Sequence, residues 1–72
     1  MKVDQLQIKI GNRIKILRES KDISQQDLAA VCNFEKGNLS RIEAGRTNPT
    51  ISTLFKISQA LEVSISELVD VE

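Results

Sequence analysis

The chain predicts an all-α domain of five short helices, and three observations carry that prediction. Apolar residues recur along it with helical spacing. The recurring stretches are fenced by residues that start and stop helices: Ser24, Thr50 and Ser64 at beginnings, Asn33 and Gly45 at ends. No segment alternates convincingly with the two-residue period of a strand.

The first helix is expected from about Gln5 to Ser20. Leu6, Ile10, Ile14 and Leu17 form its apolar stripe, while Ile8 and Ile16 fall off it. Gly11 interrupts it at a cost of roughly 1 kcal/mol against alanine, so the segment before it is expected to be frayed or separate. Ser24 caps a second helix from Gln25 to about Cys32, with Asp27 in the first turn where a negative charge suits the helix end. Leu28, Val31 and Cys32 are its expected inner face. Asn33 tolerates a left-handed backbone and marks the turn. The third helix is expected from about Glu35 to Ala44, with Leu39 and Ile42 inward and Gly45 as its stop.

Pro49 biases Asn48 out of helical geometry, which makes Arg46 to Pro49 a loop. Thr50 caps a fourth helix, Ile51 to Leu61, with Ile51, Leu54, Ile57, Ala60 and Leu61 on one side. Ser64 and Glu67 form a capping-box pattern for a short last helix, about Ile65 to Val69. No repeat or linker divides the sequence, so residues 1–72 are expected to make one compact domain.

Composition removes several function classes. There is one cysteine and no histidine, so neither an internal disulfide nor a zinc site is expected. No cofactor is implied. Cys32 is expected in the core, since no histidine exists to activate it. Phe34 and Phe55 are expected in the core or an interface. No acid–base constellation suggests an enzyme. No apolar run is long enough to cross a bilayer and no signal-peptide pattern opens the chain, so a cytoplasmic protein is expected.

Net charge is zero, yet the charges are unevenly placed. Residues 1–49 carry nine Lys and Arg against six Asp and Glu, a balance of +3, and residues 50–72 balance at −3. One end is suited to phosphates and the other is not.

The segment from Ser24 to about Ala44, two short helices and a tight turn, is hardware for placing a helix in the major groove of DNA. Lys36, Gly37 and Asn38 fall outward near the start of the third helix, with Ser40 and Arg41 further along. Arg41 suits the O6 and N7 edge of guanine, Asn38 an adenine edge or a phosphate, and Lys36 either a guanine or a phosphate. Gly37 has no side chain and lets the backbone approach closely. Gln25 and Gln26 stand at a helix start whose free N–H groups favour phosphate. Ser40, Arg46, Thr47 and Asn48 are further phosphate candidates. An exposed arginine is ordinarily only solvated. The joint placement of caps, turn, inward pairs and polar face favours the DNA reading.

The segments IGNRIKILRESKDISQQDLA, NLSRIEAGRTNPTISTLFKISQAL and VSISEL resemble the Cro/repressor-type, or Xre, helix-turn-helix family. The resemblance runs from about Ile10 to Leu68, and SRIEAGRTNPT is its most specific part. It implies a lambda repressor-like five-helix domain that regulates transcription by binding operator DNA as a symmetric homodimer. By position, Gln25 resembles the family glutamine that meets a backbone phosphate. Lys36, Gly37, Asn38 and Arg41 occupy the variable base-reading positions. Arg18 and Glu43 resemble the buried ion pair between the first and third helices.

The chain departs from the family at four places. Asn33 and Glu62 replace glycines that end helices. Glu35 stands where a small cap is common, and Gly37 removes one base-reading side chain. The last segment offers Ile65, Leu68, Val69 and Val71 as a dimer interface. The competing reading is a protein-interaction module or antitoxin-like partner on the same fold, which near-neutral charge, Gly37 and Glu35 favour.

Overall fold

Ser24, Thr50 and Ser64 each take extended backbone and accept a hydrogen bond from the N–H three residues on, at 3.0, 3.1 and 3.1 Å. That local chemistry sets three of the five helix starts in the computed structural model, which describes all 72 residues. The elements are α1 (Val3–Ser20), α2 (Gln25–Cys32), α3 (Asn38–Glu43), α4 (Ile51–Leu61) and α5 (Ile65–Leu68). At α5 the capping box closes in both directions, because Glu67 Oε1 also accepts from the Ser64 N–H at 3.3 Å.

Helix ends follow the expected logic. Asn33 sits in the left-handed region (φ 57°), as does Gly45 (φ 75°). Glu62 adopts it too (φ 58°), so α4 ends in a left-handed turn although glycine is absent there.

One cluster forms the core: Ile14, Leu28, Cys32, Leu39, Ile42, Leu54, Ile57, Leu61 and Leu68. Every helix contributes to it. Each fully buried leucine or isoleucine stabilises the fold by about 1.5–3 kcal/mol. A short chain without disulfides depends on this sum.

The structure corrects the sequence reading at several points. α1 begins at Val3 and runs unbroken through Gly11. Gly11 is buried because α1 and α3 meet there. A Cβ on it would run into the Ile42 carbonyl oxygen and stand 2.8 Å from that of Glu43. The glycine is a close-packing site, not a point of fraying. Ile8 and Ile16 remain half exposed, which fits their place off the stripe. Ile8 packs over Gly45, where a Cβ would lie 2.7 Å from Ile8 Cγ1.

Val31 is 72% exposed and Ile51 is 78% exposed, so neither belongs to an inner face. In α2 the core needs only the i, i+4 pair Leu28 and Cys32, and Val31 falls to the side. Ile51 opens α4 beyond the edge of the core. Leu68 is fully buried, so it completes the core and is unavailable to a dimer interface.

The largest correction concerns α3, which starts at Asn38 and not at Glu35. Gly37 has φ +85°, a left-handed turn that no helix interior contains. Asn38 N–H donates back to the Glu35 carbonyl at 3.1 Å, closing that turn. Glu35 therefore lies outside the helix and does not cap it.

Candidate nucleic-acid interface

The site is built on a buried ion pair. Arg18 of α1 and Glu43 of α3 are each only 8% exposed. The Arg18 guanidinium donates to the Glu43 carboxylate twice, Nε to Oε2 at 2.7 Å and Nη2 to Oε1 at 3.1 Å. Its Nη1 donates to the Ile23 carbonyl at 2.7 Å. The hydrogen bond to Glu43 holds the arginine pKa above its usual value, against the opposing effect of burial. The family-implied pairing is thus present, and it fixes α3 against α1.

Gln25 enters the same network. Its Nε2 donates to Glu43 Oε1 at 3.1 Å, so the side chain is partly committed to the scaffold. The backbone N–H groups of Gln25 and Gln26 make no hydrogen bond, and they open an eight-residue helix. They remain available to an anionic oxygen.

An open groove of about 640 Å³ brings together Gln25, Gln26, Lys36, Gly37 and Ser40, with Ala29, Ala30, Phe34 and Leu39 as its apolar wall. Arg41 does not line the groove but borders it at Gly37, its Nη1 lying 3.2 Å from where a Gly37 Cβ would be. Asn38 is half-buried on the first residue of α3 and does not line the groove. Lys36 is exposed but sits in the turn before α3 rather than on it.

The loop candidates divide. Arg46 and Asn48 are exposed, outside the groove. Thr47 is corrected: its hydroxyl oxygen is buried without a partner and is out of reach of a phosphate. Sequence reasoning missed Lys15, which lines an adjoining hollow with Arg18, Gln25 and Ser40. The signal existed, because Lys15 precedes Arg18 by three residues and shares its side of α1.

The cations are largely uncommitted. Of ten Lys and Arg residues, only Arg18 makes a salt bridge. Lys15, Lys36, Arg41 and Arg46 therefore present free charge around α3. Cys32 is no part of this chemistry. It is buried in the core, and burial pushes its thiol pKa up, away from the reactive thiolate. No group of His, Cys, Asp or Glu is placed to hold a metal ion, and no helix is long and apolar enough to cross a membrane.

A helix-turn-helix family profile matches residues 14–68. The chain belongs to the Xre-type helix-turn-helix family. This helix-turn-helix chain is 42% identical over 60 residues to the uncharacterized HTH-type transcriptional regulator y4dJ of Sinorhizobium fredii, covering 83% of this chain and 78% of that protein. It is 38% identical over 67 residues to the control protein C.MunI of Mycoplasma sp, covering 92% of this chain and 90% of that protein. Among solved structures it resembles the restriction–modification controller protein C.Esp1396I, crystallised as a tetramer with its natural 35 base-pair operator. The TM-score there is 0.80 at 35% identity, over 90% of each chain.

Proposed function

We propose that this chain is a sequence-specific DNA-binding transcriptional regulator that acts in the cytoplasm as a symmetric dimer, with α3 in the major groove. The observation that carries the reading is geometric. A six-residue helix is locked by the Arg18–Glu43 pair, with Lys36 in the turn before it and Arg41 on its exposed side, both free of salt bridges. Arg41 and Lys36 are the base-reading side chains, with Asn38 flanking them. Gln25, Gln26, Ser40, Lys15, Arg46 and Asn48 hold the phosphates that set register. The likeness to C.MunI and to the operator-bound C.Esp1396I supports the same reading.

Half-exposed Ile65 and Val69, with Val71, form the dimer surface on and after α5. A two-fold dimer places the two α3 helices on half-sites about 34–36 Å apart, one helical turn. The test is selection of bound duplexes from a random pool, followed by a salt titration of the winners. A palindromic consensus is expected, with affinity falling steeply as salt rises. A well-folded protein that ignores every duplex in dilute buffer overturns the proposal. Weak, salt-insensitive retention would favour the protein-interaction reading.

A further inference from the structure

Three facts meet at the start of α3. Gly37 is held at φ +85°, where a residue with a Cβ is rarely found. The space that its Cβ would occupy ends 3.2 Å from Arg41 Nη1. Arg41 makes no salt bridge and no side-chain hydrogen bond, so its guanidinium is free to meet a ligand.

We infer that Gly37 is a specificity-determining position that acts through Arg41: its bare α-carbon leaves open the space that the Arg41 guanidinium uses at the leading end of α3, where it reads a guanine. This deepens the reading of α3 as the base-contacting element and rests on it. The geometry follows from helix direction. Side chains in a helix lean toward its N-terminus, and residues four apart lie one above the other. Arg41 is four residues after Gly37, so its chain runs back along the helix and lays the guanidinium over the glycine. Recognition helices touch base edges with their N-terminal residues. Arg41 rises a full turn into α3. A Cβ at position 37 would press the guanidinium aside by a few tenths of an ångström, and a longer side chain would compete for the space it occupies. With glycine there, it reaches the end that enters the groove.

Position 37 is therefore not an empty reading position. It trades one direct contact for the placement of a longer, two-pronged one. The left-handed turn and the missing Cβ are separate contributions, and substitution can separate them. Asparagine tolerates the left-handed backbone but restores the Cβ. Gly37→Asn keeps the turn and crowds Arg41.

The experiment measures binding of the wild-type chain, Gly37→Asn, Arg41→Ala and the double variant. The probes are a duplex selected from a random pool by the wild type and duplexes with each G·C pair of the half-site replaced in turn. Thermal melting of all four proteins accompanies it. Wild type is expected to prefer guanine at one half-site position, and Arg41→Ala to lose about tenfold of that preference. Gly37→Asn is expected to lose a similar amount while melting close to wild type. The double variant should be no worse than Arg41→Ala alone.

Gly37→Asn keeping full preference for that guanine, while Arg41→Ala loses it, overturns the inference and leaves the proposed function standing. Additive losses in the double variant also overturn it, because they mean that position 37 acts independently of Arg41. Equal weakening of every duplex by Arg41→Ala overturns it as well, since the arginine then holds a phosphate. A wild-type protein without preference for any duplex removes the underlying reading itself.

Discussion

Removing the Glu43 carboxylate is the sharpest perturbation of this scaffold. Glu43→Ala deletes both bonds from Arg18, at 2.7 and 3.1 Å, and the one from Gln25 at 3.1 Å. Arg18 keeps only its bond to the Ile23 carbonyl at 2.7 Å. Two of its donors and its full charge are then stranded at a site only 8% exposed. Breaking one side of a buried pair costs about 3–5 kcal/mol. A chain of 72 residues has a total stability of roughly 4–11 kcal/mol, so the variant is left marginal. At about 4 °C per kcal/mol, the lower bound is a fall in melting temperature of about 12 °C.

Thermal unfolding followed by circular dichroism measures this directly. A companion variant, Arg18→Met with Glu43→Leu, removes both charges. It should recover much of the loss, because apolar residues of similar volume replace a buried pair at little or no cost. The Arg18 pKa is raised in the folded state, so its contribution is present at lower pH and vanishes only as pH climbs through the arginine range. The deficit of Glu43→Ala should therefore be the same at neutral and mildly alkaline pH. An unchanged melting temperature for Glu43→Ala would refute the reasoning, because the pair would then be a surface contact in all but appearance.

Gly11→Ala separates helix propensity from packing: propensity alone favours alanine by about 1 kcal/mol, yet the Cβ meets carbonyls of α3. A net loss of about 1–3 kcal/mol is expected by chemical denaturation. Glu62→Gly relieves the left-handed backbone at φ 58° and should stabilise the fold by about 0.5–1 kcal/mol, read as a rise in melting temperature. Gln25→Ala loses the bond to Glu43, costing about 1 kcal/mol of stability, and should weaken all duplexes by a similar factor. Ile65→Glu with Val69→Glu should leave the monomer folded, since both side chains are half exposed, and move sedimentation toward monomer. An unchanged dimer would place the two-fold surface elsewhere.

What was legible in the sequence was local. Ser24, Asn33, Thr50, Ser64 and Glu67 act within three or four residues of themselves, and each does what its side chain or backbone tolerance dictates. The inward positions Leu28, Leu39, Ile42 and Ile57 followed from spacing alone. What was illegible depends on a second element. Gly11 looked like a weakness because the α3 carbonyls facing it are over thirty residues away. Thr47 looked like a phosphate ligand because burial of its hydroxyl cannot be read from a polar loop. The start of α3 was misplaced because Glu35 and Lys36 are good helix formers, and the left-handed turn at Gly37 overrides them.

If α3 is the reading helix, as proposed, its length links stability to recognition. Six residues cannot hold a helix in water, where even favourable sequences need about 12–15. The element that bears Arg41 exists only because Leu39, Ile42 and Glu43 are fastened from behind. Arg41 lies two residues from Glu43, on the opposite side of the same turn and a half. Loosening the ion pair therefore does more than lower the melting temperature: it frees the backbone that aims the guanidinium. Partial variants at Glu43, such as Glu43→Gln, should lose discrimination between duplexes under conditions where most molecules are still folded. A variant that lost stability while keeping full discrimination would show that bound DNA itself can organise α3, and the scaffold would then matter for folding but not for reading.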